Sequence, residues 1–230
     1  MFARFLIAIA VVILSGVQAL AQEPYSPEPL ETLLATNVSY AADIPTPADV
    51  TGYEVGEIIL PHELMVQYVR AIDRASDRVK IEQIAQSHLK RPIFAVYVSS
   101  PDNLQRLDDI KESRSAVLQG RSPAIEIGVH QINYGVHGSE PSSYDSAPLM
   151  LYHLAAAQDS ETRALLDDNL IILMVTLNPD GASRMANWVN SHRAEVPVAY
   201  PAHKERGVFF AGGRTNHYMF DLNRQWLPVA

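Results

Sequence analysis

Cysteine is absent from all 230 residues. That excludes disulfide scaffolds, thiol nucleophiles, zinc fingers and iron–sulfur clusters. Any metal must be held by His, Asp or Glu. Positive charge is scarce as well. Eighteen Lys and Arg stand against 26 Asp and Glu, a formal net charge of −8. An acidic chain without a basic cluster fits nucleic-acid binding poorly. Several motifs are missing too. His62-Glu63 is not completed by a second His in the metalloprotease pattern. There is no Gly-x-Ser-x-Gly elbow and no glycine-rich phosphate loop. Neither an internal repeat nor a low-complexity tract is visible. What remains is a globular composition, 47% hydrophobic and 19% charged, long enough for one large domain or two small ones.

The N-terminus reads as an address. Arg4 precedes the apolar run Phe5 to Leu14, and the small-residue site Ala19-Leu20-Ala21 follows. The pattern predicts a secretory signal over 1–21, cleaved before Gln22. The run is short for a membrane span, so no stable span is expected after cleavage. The mature chain is expected to be exported, periplasmic or extracellular. Residues 22–50 form a proline-rich lead-in (Pro24, Pro27, Pro29, Pro45, Pro47). The sequon Asn37-Val38-Ser39 matters only in a eukaryotic secretory pathway.

Periodicity predicts the elements of the remainder, 51–230. A helix starts at Pro61, with Leu64, Met65, Tyr68, Val69 and Ile72 on one face. Strands are predicted at 79–85, 92–99, 124–132 and 169–177, with a last short one at 217–220. Helices are predicted from Pro101 to about Val117, and over 142–157, 161–167 and 182–191. The run Leu170 to Val175 is apolar on both faces, as suits a central strand covered from both sides. Strands alternating with helices predict a three-layer α/β/α fold with a largely parallel or mixed sheet.

In open α/β sheets, sites form beyond the carboxyl ends of strands. Three polar clusters follow predicted strands: Asn133 to Pro141, Asn178-Pro179-Asp180-Gly181 and Asp221-Leu222-Asn223-Arg224. In the first, His137 and Glu140 stand three apart in a turn, a spacing that lets an imidazole and a carboxylate share one zinc ion. Asp221 is suited to accept the far N–H of a ligand His. Arg224 is a planar fork for a carboxylate anion, and Asn223 adds a neutral donor. Asn178-Pro179-Asp180-Gly181 is first a turn, shaping the floor of the site. A second His-x-x-Glu pair, His192 and Glu195, lies in a polar stretch after a helix and is set aside. His88, His130, His153, His203 and His217 read as core-edge or surface residues, and Trp188 and Trp226 as packing residues.

Together, His137-Gly138-Ser139-Glu140, Asn178-Pro179-Asp180-Gly181 and Asp221-Leu222-Asn223-Arg224 resemble the zinc carboxypeptidase (carboxypeptidase A-like) family. The resemblance extends upstream through Ser87 to Pro92 and covers roughly residues 50 to 227. Asn187 to Arg193 and Gly212 to Tyr218 resemble an exported bacterial branch. The resemblance implies that His137 and Glu140 are the first two ligands of a Zn2+ cofactor, with Asp221 behind the ligand His. It implies that Asn223 and Arg224 grip the C-terminal carboxylate of a peptide or protein substrate. Arg193, twelve residues after Gly181, corresponds by offset to an arginine that stabilises the oxyanion. The family often carries Arg between its His and Glu. Gly138 and Ser139 stand there instead, so one substrate contact is lost or replaced. Pro148 is expected to kink or shorten the helix after the ligand loop.

The family pattern continues past the Asn-Arg pair with a third ligand, a His, and then a Glu as general base and acid. The sequence given ends at Ala230. The expectation is therefore the N-terminal part of a metallocarboxypeptidase, weakly active or inactive as it stands. Two rival expectations are a zinc deacylase of the aspartoacylase type, acting on N-acyl amino acids, and a non-catalytic exported peptide-binding module.

Overall fold

The computed structural model describes residues 26–207 and 212–226. The expected signal segment, 1–21, lies outside the described residues. Among the described residues, the helices longer than two turns are α1 (His62–Ala75), α2 (Leu107–Leu118), α3 (Pro141–Ala156), α4 (Ser160–Asp168) and α5 (Pro179–His192). Four strands, β1 (Val79–Gln86), β2 (Pro92–Val98), β3 (Gly128–Asn133) and β4 (Asn169–Met174), form one sheet in the order β1-β2-β4-β3. Among the described residues, no helix is long and apolar enough to cross a membrane.

The sheet is mixed. β3 and β4 run parallel, Gly128 facing Asn169 and Asn133 facing Met174. The β1/β2 and β2/β4 pairs are antiparallel. The reason lies in the connections. β1 and β2 are joined by the short turn Ser87–Arg91, which can only link antiparallel neighbours. β3 reaches β4 through α3 and α4, a crossover long enough for parallel pairing. β4 divides the core into two faces. Ile171, Leu173 and Val175 pack with Tyr68, Val69 and Ile72 of α1 and with Leu151 and Leu154 of α3. Leu170 and Met174 pack with Leu104, Leu107 and Ile110. Helices therefore cover both faces of the sheet, and each buried aliphatic side chain contributes about 1.5–3 kcal/mol.

Several boundaries differ from the sequence expectation for identifiable reasons. The helix opened by Pro101 breaks at Arg106, giving a short piece Pro101–Gln105 before α2. There the buried Asn103 turns its amide to Ser99 and to the carbonyls of Leu166 and Asp167. The third strand starts at Gly128, not at 124, because Ser113 Oγ of α2 takes the Ile125 N–H at 3.0 Å. Residues 217–220 are not a strand. Asn216 Oδ1 accepts the N–H groups of Tyr218 and Phe220, closing a turn in which Met219 has φ 66°. Pro148 is buried inside α3, which is not shortened and runs the full sixteen residues. In the proline-rich lead-in, Ile44 is buried and Tyr40 stacks on Tyr152 with ring centroids 5.4 Å apart.

The β1–β2 turn is fastened to the start of α5 by one carboxylate. Asp180, 3% exposed, accepts Ser87 Oγ (2.8 Å), Leu89 N–H (3.3 Å) and Arg91 Nη1 (2.9 Å). Burial pushes its pKa up, but these donors outweigh it and hold the carboxyl below the ordinary value. A depressed carboxyl contributes stability above its unfolded pKa, about 4, and loses it as pH falls below that. Asp180→Ala is expected to destabilise the fold by about 2 kcal/mol at neutral pH. That is less than for a fully buried pair, because the Arg91 left behind is partly hydrated. Denaturant unfolding at neutral and acidic pH checks this, the difference shrinking in acid.

Candidate metal and substrate site

Because β3 and β4 are parallel, both carboxyl ends reach the same sheet edge. Pairing then continues past the strands. Tyr134 N–H donates to Met174 O (2.8 Å), Leu177 N–H to Tyr134 O (3.0 Å), and Asn178 N–H to Gly135 O (2.9 Å). The loop 134–140 thus runs alongside 175–178. Asn178 then caps α5, its Oδ1 taking the Gly181 N–H at 3.0 Å.

A third loop, 212–216, closes over these two. Its approach depends on missing side chains. A Cβ on Gly138 would lie 2.1 Å from Ala182 N, and one on Gly181 would lie 2.3 Å from Gly213 O. A Cβ on Gly213 would meet Gly138 C and O at 2.9 Å. The three loops cross glycine on glycine, and no larger residue fits there.

At this crossing His137 is 5% exposed and faces two carboxylates. Its Nε2–H donates to Asp221 Oδ1 at 2.8 Å, and its Nδ1 lies 3.0 Å from Glu140 Oε1. A neutral imidazole has a single N–H. In the neutral imidazole with its N–H directed at Asp221, the Nδ1 lone pair faces a carboxylate oxygen, and two such electron-rich atoms attract a cation between them. Zinc bonds of about 2.0–2.2 Å to each would hold such donors roughly 3.0–3.4 Å apart. The donor set and spacing fit a shared zinc ion. Among the described residues, no group of three or more His, Asp or Glu could hold a metal ion. His137 and Glu140 are therefore a pair of donors rather than a closed cage.

Asp221 caps the helical turn Leu222–Arg224, its Oδ1 also accepting Asn223 N–H at 3.0 Å. The hydrogen bond from His137 foremost, opposed by desolvation and reinforced by Arg214, holds its carboxyl at about 2. Asn223 and Arg224 are exposed. Trp226 Nε1–H donates to Asn223 Oδ1 at 2.9 Å. Since indole is only a donor, this leaves the Asn223 amide N–H groups available as donors. Trp226 itself is 58% exposed, so it orients Asn223 rather than packing in the core.

Arg193 stands apart from this cluster, at the end of α5. It lines a cavity of about 570 Å³ with Pro141, Ser142, Asp145, Asn190 and apolar walls including Ile59 and Leu149. The cavity begins at the residues directly after Glu140. In it, burial pushes the Asp145 carboxyl up to about 7, opposed by the Leu60 N–H it accepts at 3.2 Å. The His192 ring lies tilted against Trp188, with its Nδ1 2.8 Å from Trp188 O. His88 and His217 stack at 3.9 Å near the surface.

Arg214 was assigned no role by the sequence, yet the structure sets it among the candidate residues. Its Nη2 lies 2.9 Å from Asp221 Oδ2 and its Nη1 3.8 Å from Glu140 Oε1. The available signal was the Gly212-Gly213 pair before it, which marks close backbone approach.

Residues 65–229 match the sequence pattern of the zinc carboxypeptidase family. Among solved structures, the chain is similar to a metallo-carboxypeptidase from Burkholderia cenocepacia, with 15% identity and a TM-score of 0.47, over 72% of this chain and 32% of that one. It is also similar to carboxypeptidase A from Helicoverpa armigera, with 19% identity and a TM-score of 0.44, over 68% and 32%. The chain spans between 27% and 33% of the length of the solved relatives it matches. No match was found among curated proteins. With the family pattern running from within α1 to beyond Arg224, the chain belongs to the zinc carboxypeptidase family.

Proposed function

We propose that these residues carry the carboxylate grip and two of the zinc ligands of an exported metallocarboxypeptidase, which removes C-terminal residues from peptides. The observation that carries the reading is the imidazole of His137, with Asp221 on one nitrogen and Glu140 facing the other. His137 Nδ1 and Glu140 would hold the zinc ion, and Asp221 would fix the tautomer that frees Nδ1. The metal, when bound, supplies Lewis-acid polarisation of the scissile carbonyl and a lowered pKa for water. Arg224 and the Asn223 amide would bind the free carboxylate of the substrate and so select the last peptide bond. Arg193 would stabilise the oxyanion from the cavity side. The secretory pattern at 1–21 supports export.

Binding tests address these residues directly. The 230-residue chain is expected to bind zinc, and His137→Ala to weaken that binding by about a hundredfold or more, since a ligand matters more than its supporting shell. It is also expected to bind a peptide with a free C-terminal carboxylate better than its C-terminal amide. Arg224→Ala should erase that preference while leaving zinc binding unchanged. Equal zinc affinity in parent and His137→Ala, or no preference for the free carboxylate, would refute the assignment.

A further inference from the structure

We propose that Arg214 positions Asp221, and through it His137, for metal binding; the inference rests on the zinc reading above. Both oxygens of Asp221 are engaged. Oδ1 takes the Nε2–H of His137 and the N–H of Asn223. Oδ2 takes two donors from one guanidinium, Nε at 3.0 Å and Nη2 at 2.9 Å. Held on one oxygen only, the carboxylate could turn about its Cβ–Cγ bond. Held on both, its plane is fixed, and Oδ1 stays aimed at His137.

Arg214 is itself anchored. Asn178 Nδ2 donates to its carbonyl at 3.1 Å. Arg184 of α5 donates to the carbonyls of Gly212, Thr215 and Asn216 on either side of it. Gly213 rests on Gly138, directly after His137. A continuous path therefore runs from the start of α5, through the segment 212–216, to Arg214, Asp221 and His137.

Two effects of Arg214 oppose each other. Its charge repels an incoming dication and its Nη1, 3.8 Å from Glu140 Oε1, faces an oxygen the metal would use, while its hydrogen bonds to Asp221 align the ligand His137. The guanidinium side chain is 45% exposed, so water screens the repulsion. The alignment acts on an imidazole that is 5% exposed, where little water competes. Alignment prevails.

The test uses the 230-residue chain with zinc alone as probe, by competition with a chromophoric chelator. A second readout is the nitrogen NMR spectrum of the metal-free His137 imidazole in mildly alkaline buffer. Arg214→Ala is expected to weaken zinc binding by about tenfold to a hundredfold. The imidazole should pass from a single Nε2–H tautomer to a mixture. Arg214→Gln, which keeps an N–H for Asp221 but no charge, should restore most of both. Zinc binding that is unchanged or tighter in Arg214→Ala, or an unchanged tautomer, overturns the proposal. Failure of the underlying zinc reading looks different: His137→Ala would then bind zinc as well as the parent, while the tautomer still responded to Arg214.

Discussion

Gly138→Ala is expected to lose about 4 kcal/mol of stability and to abolish zinc binding at His137, although it adds a single methyl group. The new Cβ would stand 2.1 Å from Ala182 N, 2.2 Å from Gly181 C and 2.7 Å from Ala182 Cα. All three are backbone atoms in the first turn of α5, and no rotamer change relieves the clash. The loop must move away from α5, and His137 and Glu140 move with it. Gly120→Ala is the fitting control. Gly120 has φ 76° but open space around its Cβ position, so only the backbone cost of about 1 kcal/mol applies. Denaturant midpoints for both variants, with zinc titrations on each, check the prediction. Equal losses for the two, with zinc binding kept in Gly138→Ala, would show that the glycine crossing is not needed.

Asp145→Asn is expected to stabilise the protein by about 2–3 kcal/mol at pH near 8 and to leave it almost unchanged at pH near 4. Burial in the wall of the cavity raises the Asp145 carboxyl to about 7. The unfolded value is about 3.9. Between these two values the folded state holds the proton more tightly, so stability falls as pH rises through the window and is level above it. Three pK units correspond to at most about 4 kcal/mol, reduced because the cavity opens to water. Asn keeps the acceptor for the Leu60 N–H and never ionises. The sign is opposite to that for Asp180 and Asp221, whose depressed carboxyls add stability that is lost only in acid. Unfolding measured across this window on both proteins is the check. A parent whose stability is flat from about pH 5 to pH 8 would contradict it. A half-buried carboxyl with a raised pKa, facing the same cavity as Arg193, is also a mark of functional sites.

Much of this was legible from residue pattern alone. The apolar run Leu170–Val175 marked the central strand, because burial on both faces leaves no room for alternation. His137, Glu140 and Asp221, 84 residues apart at the extremes, stand out by residue type together with the family resemblance, and they meet at one imidazole. The strand directions were harder to read. Alternating elements suggest parallel pairing, while the five-residue turn Ser87–Arg91 forces β1 against β2 in the antiparallel sense. The residues at 217–220 have strand-like composition, but the Asn216 side chain satisfies the same backbone N–H groups within a turn. Arg214 was missed because its place beside Asp221 and Glu140 depends on the long-range meeting of Gly138, Gly181 and Gly213. In the sequence, each of those glycines reads only as a local turn.

The most direct test of the zinc site is to load the 230-residue chain with zinc and locate the ion by anomalous scattering from crystals. Zinc is expected on His137 Nδ1 and on a carboxylate oxygen of Glu140, with Asp221 on the far nitrogen. Zinc found instead at the stacked His88 and His217, or bound to His137 through Nε2 with Asp221 displaced, would contradict it.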